Sequence, residues 1–413
     1  MNFDLNKNSQ RIIADLQELA TLTSDENGAQ RVAWTPIWEE ARNWFLEKIK
    51  PHTTDIFKDS AGNMWFKLQG KSDKSIIIGS HLDSVPNGGW LDGALGVISG
   101  LEVLRHFSEA QIVPQHSIYI VDWADEEGAR YGYSCLGSSA ASGSVNISEF
   151  TNRVDNEGIP FKMAISKHGL NIDTFTDAHK TFQNKINELI AYLEFHIEQG
   201  PVLEQTNKDV AAVYGAAGVE RYYIDFYGQS AHAGSFPTEM RQDAFLAAAT
   251  ASLKFRDLAL KYNAVCTVGE VNVTPGVVTI VPGQCTISID MRSINKDDLA
   301  AMLSEAQNIS QTSAQQFDCT VSWRRIYSVS PQIFDSNLVD ICKTAVAEEI
   351  GESNQMYSGP LHDAVEMNKL IPTVMMFVMS KNGISHDKDE DTPINQLTTG
   401  IRAYLRLIDK VLN

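Results

Sequence analysis

Apolar residues at 12, 13, 16, 19 and 20 recur at helical spacing, so residues 9–23 are predicted to form an amphipathic helix. Thr35-Pro36 is a capping residue followed by a proline, and it predicts a second helix running to about Ile49, just short of Pro51. The pattern then changes to short β-prone runs. Segments 54–57 and 64–68 read as paired strands across the turn cluster Ser60-Ala61-Gly62-Asn63. Ile76, Ile77 and Ile78 form a continuous apolar run, which predicts a buried strand over 75–79 leading into Ser80-His81. A helix follows at about 95–108. The run SIYIVDWA at 117–124 is a further buried strand, and it ends in Asp125-Glu126-Glu127-Gly128. Residues 135–189 read as short helices and loops. AYLEFHI at 191–197 is another strand, followed by Glu198-Gln199-Gly200-Pro201, and a strand near 209–214 comes next.

After Gly215 the periods fall in a different order. Residues 220–228 alternate as a strand, 239–262 form a long alanine-rich helix, 265–273 and 284–292 are strands, 296–316 a helix and 318–327 a strand. Strand, helix, strand, strand, helix, strand is the order of the ferredoxin-like unit. The remainder returns to α/β, with a helix at 335–349, a helix after His362, a strand at 372–378 and a closing helix at 394–411. The expected architecture is therefore α/β. A discontinuous domain, 1–214 and 328–413, has a mixed sheet flanked by helices, and a smaller α+β domain at 215–327 is inserted into it.

Composition narrows the function. Of 413 residues, 43% are hydrophobic and 21% charged, as in ordinary globular chains. The net charge of −18 argues against nucleic acid or an anionic membrane as partner. The first residues, MNFDLNKNSQ, lack an apolar signal core, and no apolar run approaches a membrane span. The five cysteines are scattered, without CxxC spacing. They read as reduced thiols, and the expected compartment is the cytoplasm.

Potential ligands cluster at predicted strand ends and in glycine-bearing turns: His81, Asp83, Asp92, Glu126, Glu127, His196 and His386. In open α/β sheets, ligands bind at the carboxyl ends of the strands. A single histidine among ten is more often structural, and adjacent glutamates are more often a solvated surface. The combination is what points to chemistry. Histidines and carboxylates in this number suit two zinc or similar divalent ions, with one carboxylate bridging ions ~3.5–4 Å apart. Adjacent Glu126 and Glu127 cannot easily do the same job, so one can ligate while its neighbour acts as a base. Asp83, two residues after His81, is placed to accept the spare imidazole N–H.

These segments resemble the M20 metallopeptidase-type amidohydrolases, in the branch of N-carbamoyl-L-amino acid hydrolases, allantoate amidohydrolases and β-ureidopropionases. The matching stretches include GSHLDSVPNGGWLDGALGVISGLEVL at 79–104, DEEGARYGYSCLGS at 125–138, LEFHIEQGPVLE at 193–204, GQSAHAGSFPTEMRQDA at 228–244, VPGQCTISIDMR at 281–292, LHDAVEM at 361–367 and GISHDKDED at 383–391. The resemblance implies a zinc-exopeptidase-like catalytic domain and a lid or dimerisation domain. It also implies two ions (zinc, or manganese, cobalt or nickel). His81 and His196 would bind one ion, Glu127 and His386 the other, and Asp92 would bridge them. Glu126 would be the general base working with a metal-bound hydroxide, and Asp83 would support His81. His232 would polarise the scissile carbonyl, often across a dimer interface. Arg292 would capture a substrate carboxylate, with Gln199, Arg221, Thr279 and Gly359 as further substrate contacts.

The departures fall on the substrate side. Thr279 stands where the family commonly has Asn, Pro360 and Leu361 follow Gly359 where small residues are usual, and Phe236 and Thr238 stand where Thr and Met are usual. The expected activity is hydrolysis of a small N-carbamoyl or ureido acid by a cytoplasmic homodimer. An aminoacylase or dipeptidase, with Phe236 and Leu361 lining an acyl pocket, is the alternative, and a non-catalytic metal-binding protein is a third reading.

Overall fold

The computed structural model describes residues 3–413 and divides the chain into two compact units, Met1–Tyr214 with Phe334–Asn413, and Gly215–Ile333. The return crossing lies at 333/334 rather than at 327/328. The last strand of the inserted unit runs on to Val329, and Gln332 and Ile333 then pair with Ala216 and Gly215, the final residues of the strand Val210–Ala216.

In the larger unit, four parallel strands form the middle of the sheet: Thr373–Val378, Leu189–Ile197, Ser75–His81 and Ser117–Trp123, adjacent in that order. Antiparallel neighbours extend it on both sides. Val210–Ala216 pairs with Thr373–Val378, and Met64–Leu68 pairs with Ser117–Trp123 and is followed by Asp55–Lys58. Every residue of Ser75–His81 and Ser117–Trp123 is buried, which explains why both read as unbroken apolar runs and not as alternation. Burial of Ile76, Ile77 and Ile78, each 0% exposed, contributes roughly 1.5–3 kcal/mol apiece and fixes the strand that ends in His81. The helix Ala94–Glu109 packs on these strands and is buried on nearly all sides. Thr35 caps the helix Pro36–Ile49 through its hydroxyl, which accepts from the Trp38 amide.

In the inserted unit, the sheet order is Val265–Thr267, Gln284–Ser293, Gly218–Tyr227, Thr320–Val329, all antiparallel, with Val271–Thr274 also on Gln284–Ser293. That is the ferredoxin-like order, with the helices Ala244–Lys261 and Lys296–Gln316 packed on it. The core of this unit joins Ile224, Phe226, Ala247, Ala251, Phe255, Ile287 and Met302.

Two sequence expectations need correction here. The long helix begins at Ala244, not 239, because Asp243 accepts from the Phe245 and Leu246 amides and caps it. The strand expected over 265–273 is two pieces, Val265–Thr267 and Val271–Thr274, separated at Gly269. The short strand Gln355–Ser358 had no clear signal. All five cysteines are unpaired. No helix among the described residues is long and apolar enough to cross a membrane.

Candidate metal centre

The carboxyl ends of the parallel strands gather the predicted ligands into two triads that share one residue. His81, Asp92 and His196 form the first, and Asp92, Glu127 and His386 the second, each with its ligating atoms within 4.8 Å of one another. Asp92 divides its oxygens between them. Its Oδ1 lies 3.0 Å from His196 Nε2 and 3.7 Å from His81 Nε2, while its Oδ2 lies 3.4 Å from His386 Nε2. Glu127 Oε2 is 3.2 Å from the same His386 nitrogen, and its Oε1 accepts the Val85 amide at 3.2 Å. The first triad is wholly buried, whereas the second opens to solvent through exposed His386.

Local backbone geometry explains the convergence. Gly93 has φ 64°, and a Cβ there would lie 2.4 Å from the His81 ring, so only glycine fits between Asp92 and the helix Ala94–Glu109. Asp125, Gln199 and His386 are non-glycine residues at φ 60°, 57° and 57°. Such left-handed positions mark turns whose side chains are aimed by the surrounding structure, and they are over-represented at functional sites.

The tautomers follow from hydrogen bonding. His81 Nδ1 lies 3.1 Å from the Asp83 carbonyl and His196 Nδ1 lies 2.9 Å from the Ile197 carbonyl. A carbonyl only accepts, so both Nδ1 atoms carry the proton and a neutral ring keeps its lone pair on Nε2. Both Nε2 atoms are buried, and neither has a hydrogen-bond partner among the described residues. At 3.0 Å, His196 Nε2 faces Asp92 Oδ1 outside hydrogen-bonding alignment. Two lone pairs in that position need a positive charge between them. Without an ion, a proton supplies it: burial alone would lower the His196 pKa, but Asp92 outweighs burial and pushes it up to about 9. Hydrogen bonds to Asp92 and Glu127 likewise raise His386 to about 11. Burial acts to raise Asp92, yet the imidazoles of His196 and His386 hold it well below the usual carboxylate range. The donor set, nitrogen and carboxylate without thiolate, fits two divalent cations in these same places.

Glu126 belongs to neither triad. Its Oε2 is 3.6 Å from His81 Nε2, and its Oε1 accepts from the Cys135 thiol at 3.4 Å. Burial, followed by the negative charges of Asp363, Glu127, Asp83 and Asp92, pushes its pKa well above the usual carboxylate range.

Asp83 acts in a different way from that expected. Its main-chain carbonyl, not its carboxylate, orients His81, since the nearer carboxylate oxygen is 3.6 Å from Nδ1. The carboxylate instead accepts the backbone amides of Glu126 at 3.2 Å and Glu127 at 3.1 Å. It therefore fixes the acidic turn, and burial raises its pKa to about 8.

Gln199 Nε2 donates to Asp92 Oδ2 at 2.8 Å, beside the second triad. Gly359 faces open space, with no heavy atom within 4 Å of where a Cβ would lie. Arg221, His232, Thr279 and Arg292 belong to the inserted unit. There Arg221 and Arg292 both bind Asp290, at 2.6–2.8 Å and 2.8 Å. His232 is exposed and pairs with Ile280, and the Thr279 carbonyl accepts the Ala233 amide.

Several residues around the triads escaped sequence reasoning. The buried ring of His362 lies 4.4 Å from that of His196, and its Nε2 has no hydrogen-bond partner among the described residues. Glu194, fully buried, accepts from Ser80, Tyr192 and the Ala364 amide. Its signal was an acid two residues before His196 on one face of an apolar strand. Asp125 accepts the Trp34 indole N–H at 2.6 Å, and burial followed by the charge of Asp83 raises its pKa to about 8.

A sheet with parallel strands at its centre, carrying two carboxylate–imidazole triads at its carboxyl edge, defines a centre able to hold two cations. Residues 77–410 match Peptidase family M20/M25/M40, and the chain belongs to that family. It is 30% identical over 407 residues to an N-carbamoyl-L-amino-acid amidohydrolase of Paenarthrobacter aurescens, covering 97% of each chain. It is 28% identical over 392 residues to the allantoate amidohydrolase of Bacillus subtilis, covering 94% of each. The crystal structure of an amidase of the hydantoinase/carbamoylase family from Burkholderia multivorans superposes with a TM-score of 0.88 at 28% identity, over 98% of each chain.

Proposed function

We propose that the protein is a two-metal amidohydrolase that cleaves a carbon–nitrogen bond of a small N-carbamoyl or ureido acid. The observation that carries this reading is the sharing of Asp92 between two triads, with unligated Glu126 beside them. The relatives named for N-carbamoyl amino acids and for allantoate support the substrate class. His81 and His196 would hold one ion, Glu127 and His386 the other, and Asp92 both. When bound, such ions supply Lewis acidity toward a water and toward the scissile carbonyl.

The chain's own residues handle the protons. Glu126, with its raised pKa, is suited to take a proton from the attacking water and return it to the leaving nitrogen. His232 Nδ1 accepts the amides of Gly234 at 3.1 Å and Ser235 at 3.2 Å, so its proton sits on Nε2. That N–H is the donor we assign to the developing oxyanion. Asp290 orients the guanidinium groups of Arg221 and Arg292, whose planar forks match a substrate carboxylate. Water plus an N-carbamoyl amino acid would yield the free amino acid, carbon dioxide and ammonia.

The test is a panel of N-carbamoyl and N-acyl amino acids together with allantoate, offered to metal-loaded protein. Ammonia release from the carbamoyl and ureido members is the expected result. Amine release from the N-acyl members without ammonia from the others would replace this reading with an aminoacylase.

We further propose that the protein is a homodimer assembled through the inserted unit. Leu246, Leu253 and Leu260 recur at seven-residue spacing along Ala244–Lys261 and are 42%, 76% and 64% exposed. Light scattering should give the mass of two chains, and a single-chain mass would remove the dimer.

A further inference from the structure

His386 is the least anchored of the ligands. It lies in 384–389, a stretch without regular structure in which residues 386–389 are exposed. Something must hold it against Asp92, which sits almost three hundred positions away in the sequence. Glu390 is placed to do so. It is only 2% exposed and belongs to neither triad. Its Oε1 accepts the backbone amides of Leu91 at 3.3 Å and Asp92 at 3.1 Å. Its Oε2 accepts the Ser385 hydroxyl at 2.8 Å. One carboxylate therefore binds the residue next to His386 on one side and the main chain of Asp92 on the other. The Ser385 oxygen also lies 3.3 Å from Asp92 Oδ2, so the same hydroxyl faces both carboxylates. Room for this group is left by Gly89, where a Cβ would come within 2.0 Å of Glu390 Oε1.

We propose that Glu390 is a positioning residue that locks the His386 loop to the Asp92 turn and thereby sets the affinity of the solvent-facing ion site. The inference rests on the two-ion reading above. Glu390 acts through geometry: its three acceptor bonds fix the spacing between His386 and Asp92, while His81 and His196 depend on bonds to other carbonyls. Loss of Glu390 should therefore weaken one ion and spare the other. Gln retains a carbonyl for the two amides and an NH2 group that can donate to the Ser385 oxygen, whereas Ala retains neither.

The experiment titrates chelator-stripped protein with cobalt(II), reading heat and visible absorption, for wild type, Glu390→Gln, Glu390→Ala and Ser385→Ala. Wild type should bind two ions per chain. Glu390→Ala should weaken one of them about tenfold to a hundredfold, the usual effect of losing a partner behind a ligand. The other ion should stay within about threefold of wild type, and Glu390→Gln should keep both. Two ions bound by Glu390→Ala as in wild type would overturn the proposal. So would equal losses in the Ala and Gln variants, which would point to charge, or equal losses of both ions, which would point to general structural damage. Should Glu390→Ala fail to fold, Ser385→Ala cuts the link to the His386 loop while the amides stay capped. A selective weakening of one ion there supports the proposal, and none overturns it. A wild-type protein binding fewer than two ions would overturn the two-ion reading itself, and this inference with it.

Discussion

The triad of His81, Asp92 and His196 and the triad of Asp92, Glu127 and His386 share a carboxylate but are built in different ways. In the first, both histidines stand at strand ends with their imidazoles held by main-chain carbonyls, and every member is buried. The second stands on turns, with Glu127 part-buried and His386 exposed, and side chains hold it in place. A backbone-held site changes little unless the sheet changes. A side-chain-held site is adjustable and exchanges its occupant more readily. On the proposed two-ion reading, an ion held by His81 and His196 is expected to bind more tightly and leave more slowly than its neighbour.

Glu126→Gln should have the largest effect, because on the proposed mechanism it removes the proton carrier and no ligand. Turnover should fall by roughly two to four decades with both ions still bound, measured as kcat beside metal content. A rate near wild type with full metal would end the assignment of Glu126 as base. His232→Ala comes next. We expect kcat to fall by about two decades from loss of an oxyanion donor, with both ions retained. Loss of an ion in that variant would mean that the two triads do not depend on the larger unit alone. His386→Ala and His196→Ala each remove one imidazole and so test the two triads separately. The first should leave one tightly bound ion per chain and a slow activity. The second should remove the buried ion and lower thermal stability as well, since it empties a buried position. Equal metal loss and equal stability in the two variants would show that the triads are alike.

The buried triad was the more legible of the two in the sequence, and the reason is physical. An apolar strand that ends in His81, and another that carries His196, state both burial and direction in their residue patterns. The order of strands and helices after Gly215 likewise states the ferredoxin-like topology before any contact is known. Glu127 and His386 are candidates by residue type alone, but which ion each ligand would serve comes only from resemblance, because turns do not reveal which residue they face. The contacts of the Asp83 carboxylate differ from the sequence expectation. Spacing showed that it lies near His81, but not that the carbonyl reaches the ring first while the carboxylate turns to the 126–127 amides. Glu390 was invisible in the sequence because its partners, Leu91 and Asp92, are distant in sequence and contribute backbone groups, which leave no trace in residue identity.

The smallest expected effect is on stability without ions, and its sign is fixed by the centre's titrations. The pKa of His196 is raised to about 9 and that of His386 to about 11, against an unfolded value of about 6.5. A raised base contributes stability that is fully present below the unfolded value and is lost as pH climbs through the folded one. Asp83 and Asp125, raised to about 8 chiefly by burial, act in the same direction: the fold holds their protons more tightly than the unfolded chain, and that advantage fades up to about pH 8. Asp92, held low, contributes in the opposite sense, but only at acid pH, below the window of interest. Between pH 6.5 and 9, therefore, the chelator-stripped protein should lose stability as pH rises, by about 3 °C or more in Tm. Saturating divalent metal should flatten that slope, because cations replace the protons between Asp92 and its imidazoles. If the stripped protein instead holds or gains Tm across this range, protons and cations are not competing for the same two positions, and the contrast between the triads loses its electrostatic basis.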